Sequence, residues 1–88
     1  MRRLLFFTAV LLTSTYAAAK KECTSEPKAK WMSEEAFKAM VVKKGYKIDK
    51  FKQPGTCYEI YGTNAEGKKV EIYFNPVNGD IVKSEIDE

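Results

Sequence analysis

The sequence contains no histidine and only two cysteines in 88 residues, and these absences exclude several kinds of chemistry. Hydrolases with a serine, threonine or cysteine nucleophile need a base beside it, and histidine is the usual one. Cys23 and Cys57 lack the C-x-x-C spacing of a redox pair, and no histidine is present to complete a zinc site. We therefore predict a protein that is not an enzyme and that needs no cofactor and no metal ion.

Oxygen-bearing side chains are the remaining candidates for chemistry, and each group has a simpler explanation. Glu59 and Glu71 could be cross-strand neighbours on one face of a sheet, where we expect them to be solvated rather than catalytic. Asn75, Asn78 and Asp80 carry oxygens of the kind that calcium prefers. Their spacing differs from that of an EF-hand, however, and the neighbouring Pro and Gly already indicate a turn.

The first residues have the pattern of an export signal. Arg2 and Arg3 make a positive start, the run from Leu4 to Leu12 is apolar apart from one Thr, and the small residues at 17–19 suit a signal peptidase. The apolar run is far below the roughly 20 residues that span a bilayer. We predict that residues 1–19 are a signal peptide cleaved between Ala19 and Lys20, and that the protein is periplasmic or secreted.

The chain that remains after this cleavage, residues 20–88, is almost neutral. It has 13 Lys against 12 Asp and Glu, a net charge of +1, with the two signs interspersed. A nucleic-acid partner would need basic residues clustered on one face, so none is expected. Cys23 follows Lys-Lys-Glu rather than the small residues that precede a lipidated cysteine. We therefore expect no stable membrane anchor after the signal is removed.

The two cysteines of an exported chain are read first as one disulfide, between Cys23 and Cys57, because an oxidising compartment lets it persist. A redox-active or metal-binding pair is the rival interpretation. Closing a loop of about 35 residues would stabilise the fold by roughly 3 to 4 kcal/mol in the chain-entropy model. Residues 20–32 are mostly polar, and we predict an extended N-terminal arm that is held mainly by Cys23.

A helix is predicted over residues 34–44. Ser33 suits the N-cap because its hydroxyl can accept a hydrogen bond from an amide of the first turn. Met32 and Phe37 have the spacing of a hydrophobic staple, and Gly45 follows two lysines as a stop signal. A helix of three turns is not stable alone, so its apolar side must lie on a sheet.

Alternating side chains and Gly-bearing turns predict four strands, at residues 46–52, 56–63, 69–74 and 81–86. Pro54-Gly55 and Asn78-Gly79 are strong turn signals. Phe51 is out of phase with Ile48, so either a bulge intervenes near residues 49–50 or Phe51 faces away. The predicted fold class is α+β: one N-terminal helix packed on a four-stranded antiparallel β-meander, stapled by one disulfide, with the domain at residues 33–88.

Strict alternation divides the side chains of the sheet between two faces. The face expected to pack on the helix contains Tyr58, Ile60, Val70, Ile72 and Phe74. The other face then contains Cys57, Glu59, Tyr61, Glu71 and Tyr73. The disulfide would draw the arm around the sheet edge or toward this second face and could bring Trp31 near it. The reverse assignment, with Cys57 and Tyr61 inside, stays open.

Several segments resemble the PepSY-like family of small exported bacterial domains. They are W-M-S-E-E-A-F at 31–37, K-G-Y-K-I at 44–48, C-Y-E-I-Y at 57–61 and V-E-I-Y-F-N-P-V-N-G-D-I-V at 70–82. Asn75 and Asn78 stand where the family often has Asp and Thr, and both keep turn chemistry. The resemblance implies a helix-plus-sheet module, found in protease propeptides and in free-standing exported proteins, with a proposed role in binding or restraining peptidases.

These observations predict a non-enzymatic exported binding module, a candidate peptidase inhibitor whose partner is an extracytoplasmic protein. Large side chains with one polar tip are common interface anchors. The candidate contact residues are Trp31, Glu59, Tyr61, Glu71 and Tyr73. An exposed strand edge is a second candidate surface. The alternatives are a carrier of a small ligand or a stress-response carrier with an apolar pocket between helix and sheet, and a structural or self-associating domain; the sequence leaves the oligomeric state open.

Overall fold

A computed structural model describes residues 21–87 of the chain, and it has one helix on one four-stranded antiparallel sheet. The helix α1 is Glu34–Lys43, and the strands are β1 Lys47–Lys52, β2 Tyr58–Thr63, β3 Lys69–Phe74 and β4 Ile81–Asp87. The strand order is β1-β2-β3-β4, a meander. The predicted fold class is confirmed. The predicted signal peptide lies outside the described residues, and within them no helix is long and apolar enough to cross a membrane.

The helix begins and ends where its local signals place it. The Ser33 hydroxyl oxygen accepts a hydrogen bond from the amide of Ala36 at 3.0 Å, so it caps the first turn. Lys44 closes the last turn, and Gly45 follows with a φ of 104°, a conformation that glycine adopts without strain. A short 3-10 turn, Lys28–Lys30, interrupts the arm that was predicted to be extended, because Pro27 favours the turn and its carbonyl accepts from Lys30.

A β-bulge in β1 resolves the phase of Phe51. Ile48 pairs with Gly62 of β2 and Lys50 pairs with Tyr61, so Asp49 is the extra residue. Phe51 then pairs with Ile60 and packs on the same side of the sheet as Ile48. Of the two alternatives that the sequence left open, the bulge is the one observed. Gly62 is required at this place because a Cβ there would collide with the carbonyl oxygen of Lys47.

The core lies between α1 and one face of the sheet. Phe37 of the helix occupies its centre, with its ring centroid 4.8 Å from that of Tyr58 and 4.9 Å from that of Phe74. The buried apolar residues of this cluster are Phe37, Val41, Tyr58, Ile60, Val70, Ile72 and Phe74. Each sheet residue that was expected to face the helix therefore does so, and the reverse assignment of the faces is wrong.

The N-terminal arm crosses the end of the sheet at which β2 begins and β3 ends. The disulfide joins Cys23 to Cys57, with their Cα atoms 5.0 Å apart, and confirms the predicted pairing. The Thr56 hydroxyl oxygen accepts hydrogen bonds from the amides of Cys23 at 2.8 Å and Thr24 at 3.3 Å. On the other side, the amide of Met32 donates to the carbonyl of Pro76 at 2.8 Å.

Trp31 lies on the helix side of the sheet, not on the side of the disulfide. Its ring meets that of Tyr58 edge to face at 5.6 Å, and its indole nitrogen donates to the Glu26 carbonyl at 3.1 Å. The expectation that the disulfide brings Trp31 near Tyr61 and Tyr73 is therefore wrong. Residues 24–30 are long enough for the arm to pass around the sheet, so the cysteine and the tryptophan lie on opposite faces.

Candidate binding face

The sheet face away from α1 carries two glutamates and two tyrosines on its two central strands. In β2 these are Glu59 and Tyr61, and in β3 they are Glu71 and Tyr73. The strand register places Glu59 opposite Tyr73 and Tyr61 opposite Glu71. Each carboxylate therefore faces a phenol and lies diagonal to the other carboxylate. We call this set the carboxylate–tyrosine face.

Both tyrosine hydroxyls are fixed on one carboxylate oxygen. The hydroxyl of Tyr61 donates to Oε2 of Glu71 at 3.2 Å, and the hydroxyl of Tyr73 donates to the same atom at 3.1 Å. The three side chains are only partly exposed. Two donors that meet on one charged acceptor restrict the rotation of both rings, because a hydrogen bond to an ionised group is stronger than one between neutral groups.

Glu59 is buried, which corrects the expectation that it is solvated. It is only 3% exposed, and its Oε2 atom has no hydrogen-bond partner among residues 21–87. The physical reason lies outside the strand itself: Cys57, two residues earlier on the same face, is covered by the arm to which it is bonded. Alternation predicted the face of Glu59 correctly but could not show that the arm closes over this end of it.

The two carboxyl groups differ in acidity. Burial, followed by the neighbouring carboxyl of Glu71, raises the pKa of Glu59 above its ordinary value. The neighbouring carboxyl of Glu59 lowers the pKa of Glu71, and the Tyr73 and Tyr61 hydroxyls and nearby Lys83 lower it further. Two carboxyls that share a site divide their titration in this way. Glu59 is therefore the weaker acid of the two, and Glu71 is the stronger acid, which accepts from both hydroxyls.

The phenols are neutral hydrogen-bond donors rather than nucleophiles. The neighbouring carboxyl of Glu59, followed by burial, raises the pKa of Tyr61 to about 12. Burial and the negative charge of the glutamates also raise the pKa of Tyr73 above its ordinary value. A phenol with a raised pKa keeps its proton near neutral pH. The arrangement therefore suits binding through hydrogen bonds and ring contacts.

Lysines border the phenols. The Lys52 Nζ atom lies 5.4 Å from the ring centroid of Tyr61, and the Lys21 Nζ atom lies 4.9 Å from that of Tyr73. Both distances are in the range of a cation–π contact. Lys52 belongs to the adjacent strand and Lys21 to the arm, so positive charge reaches the face from two sides.

The loop between β3 and β4 uses its oxygens for its own backbone. The side-chain oxygen of Asn75 accepts from the amide of Val77 at 2.9 Å, and that of Asn78 accepts from the amide of Asp80 at 2.9 Å. These contacts are those of Asx turns. Within residues 21–87, no three His, Cys, Asp or Glu side chains come together in a way that could hold a metal ion.

A comparison with protein families identifies the class of the chain. The family model described as PepSY_2, peptidase propeptide and YPEB domain, matches residues 3–85. The chain belongs to this family, and the suspected resemblance is confirmed. Domains of the family are propeptide or inhibitor-like modules that are generally non-catalytic. No curated protein and no solved structure gives a significant match. Family and disulfide together indicate an extracytoplasmic protein.

Proposed function

We propose that this chain is a non-enzymatic exported module that binds a peptidase, or another extracytoplasmic protein, through the carboxylate–tyrosine face. The family description, which names peptidase propeptides, supports a peptidase as the first partner to test. The single observation that carries the choice of face is that the Tyr61 and Tyr73 hydroxyls meet on Oε2 of Glu71.

This contact favours binding because it prepares the face before a partner arrives. Tyrosine rings offer large contact area with few rotatable bonds, and ordering them beforehand removes part of the entropy cost of association. The helix and its core occupy the opposite side of the sheet, which leaves the partly exposed phenols free of α1. The Tyr61 and Tyr73 hydroxyls already donate to Glu71, so a partner surface with hydrogen-bond donors would suit the phenol oxygens. Negative charge on that surface would suit the bordering Lys21 and Lys52.

The packing of the core counts against the alternative of a small-ligand carrier. Such a carrier needs an apolar cavity between helix and sheet. Phe37 fills the centre of that space, in ring contact with Tyr58, Phe74 and, at 5.8 Å, Phe51. A bound molecule would have to displace these rings. A binding surface on the outside of the domain needs no such rearrangement.

The experiment is a capture from the native extracytoplasmic fraction, with residues 20–88 immobilised, cross-linked and analysed by mass spectrometry. We expect recurrent recovery of a peptidase, and inhibition of that peptidase when the free module is added. The double variant Tyr61→Ala, Tyr73→Ala should lose the capture while circular dichroism shows an intact fold. The matched control is Val42→Ala, a change at a side chain on the opposite side that is 56% exposed.

Two outcomes would overturn the proposal. Equal capture by the double variant and by the unaltered module would remove this face as the site. Recovery of the module alone, with no other protein, would remove the proposal that it acts by binding a partner.

A further inference from the structure

The last strand, β4, is an open edge of the sheet. The strand order gives β1 and β4 only one neighbour each, and all seven residues of β4 are exposed. Three of them are large and apolar: Ile81 is 51% exposed, Val82 52% and Ile86 52%. The unpaired backbone groups of an edge strand are a template for another strand, and apolar side chains beside them strengthen the attraction.

The sequence of β4 is complementary to itself when it is reversed about Ser84. In an antiparallel pair of two such strands with Ser84 facing Ser84, Lys83 of each copy lies opposite Glu85 of the other. Val82 of each copy lies opposite Ile86 of the other. Opposite charges and apolar pairs that face each other across strands both stabilise a sheet.

We propose that β4 pairs in antiparallel fashion with β4 of a second copy of this chain, with the two Ser84 residues opposite each other. The partner is thus identified by charge complementarity. The two four-stranded sheets become one continuous sheet, related by a two-fold axis perpendicular to it, and both helices lie on the same face. This inference does not rest on the proposed binding function, because it is argued from the exposure and the sequence of β4 alone.

The other edge of the sheet does not have this property. β1 carries three lysines, Lys47, Lys50 and Lys52, so two copies of it would bring mainly positive charge together. The bulge at Asp49 also interrupts its ladder. In β4 the irregularity lies near its start, and the register with β3 is unbroken from Lys83 to Asp87. The regular part of the strand is therefore the part that carries the complementary charges.

The contact is isologous, so it closes at two copies instead of continuing into a fibre. One strand pair is smaller than the usual interface of a permanent complex. The dimer should therefore dissociate on dilution, and sedimentation equilibrium over roughly a hundredfold range of protein concentration should show a monomer–dimer equilibrium.

Charge reversal tests the register directly. Lys83→Glu places Glu opposite Glu at both crossing points, and Glu85→Lys places Lys opposite Lys, so each variant should dimerise about tenfold more weakly. A mixture of the two variants restores both opposite-charge pairs and should form a heterodimer. Both side chains are more than half exposed, at 52% and 57%, so the fold should tolerate the changes.

Lys47→Glu and Glu66→Lys are the matched controls, since they make the same charge changes at exposed positions outside β4, and both should dimerise as the unaltered chain does. Three results would overturn the proposal. The unaltered chain could stay monomeric at the highest concentration, or the mixture of the two charge-reversed variants could stay monomeric. The third result would be the formation of large open-ended assemblies. The last result would indicate pairing of β4 with β1 of the next copy.

Discussion

The amide of Cys23 donates to the Thr56 hydroxyl oxygen at 2.8 Å, directly beside the disulfide from Cys23 to Cys57. A second hydrogen bond joins the arm to the same residue: the amide of Thr56 donates to the carbonyl of Lys21 at 3.1 Å. The disulfide is therefore one of several contacts that hold the arm on the sheet. Unlike the hydrogen bonds, the disulfide also restricts the conformations of the unfolded chain.

Removal of the disulfide should lower the free energy of unfolding by about 3 kcal/mol, because the closed loop restricts the unfolded chain. The change is the double variant Cys23→Ala, Cys57→Ala, and urea unfolding at neutral pH measures it. The single variant Thr56→Val keeps the disulfide and should lose only about 1 kcal/mol. Equal losses in the two variants would show that the hydrogen bonds, and not the covalent link, dominate.

Glu59→Gln should change how stability depends on pH. The pKa of Glu59 is raised in the folded chain, so its contribution is fully present below the unfolded value near 4.5 and is lost as pH rises through the folded pKa. Glutamine does not titrate, so the variant should lose less stability than the unaltered chain over that interval. Urea unfolding at a series of pH values from 4 upward measures the difference; parallel curves would contradict the raised pKa of Glu59.

Tyr58→Phe should remove one buried hydrogen bond without changing the packing of the ring. The Tyr58 hydroxyl donates to the Met32 carbonyl at 2.6 Å and so ties the arm to the core. The expected loss is about 1 to 2 kcal/mol, because the carbonyl is left without its donor. Tyr61→Phe is the comparison: its hydroxyl is nearer to solvent, so water can replace it and the loss should be smaller. Thermal unfolding of the two variants measures both losses of stability, and equal losses would contradict this prediction.

Gly62→Ala should be more harmful than Gly67→Ala. A Cβ at Gly62 meets the Lys47 backbone, so β1 and β2 must separate, with an expected loss of about 2 to 3 kcal/mol. At Gly67 nothing lies within 4 Å, and the cost is only that of placing alanine at a φ of 82°, about 1 kcal/mol. Equal losses would show that the strands adjust to the extra methyl group.

The mature N-terminus is expected at Lys20. Intact-mass measurement of the exported protein should give a mass that corresponds to residues 20–88 with one disulfide. The variant Ala19→Arg should slow the processing, because signal peptidases require small residues there. A mass that corresponds to the full 88 residues would contradict the predicted cleavage.

The elements that the sequence predicted well are those whose signals are local. The Ser33 cap, the Gly45 stop and the alternation in β3 place the helix and the strand within one residue of their observed bounds. The pairing of Cys23 with Cys57 also followed from simple counting. Even the phase change at Phe51 was visible, because a bulge is the ordinary way to shift alternation by one residue.

The route of the arm is what the sequence could not show. Burial of Glu59 and the position of Trp31 both depend on how the arm, residues 21–31, passes around the sheet, and no local pattern encodes that path. The sequence feature that comes closest to indicating the route of the arm is Cys57, which lies two residues before Glu59 on the same face. A segment bonded at that point must cover its surroundings, so the carboxyl could have been predicted to be shielded.

The covalent ring closed by the disulfide contains α1, β1 and the turn that leads to β2, whereas β2, β3 and β4 lie outside it. A mechanical pull on the two ends of the mature chain would therefore act unequally. It could extend β4, β3 and β2, but the segment between Cys23 and Cys57 could not lengthen. The domain thus consists of a part that a pulling force can extend and a part that it cannot extend. The boundary between the two parts falls at the first residue of β2.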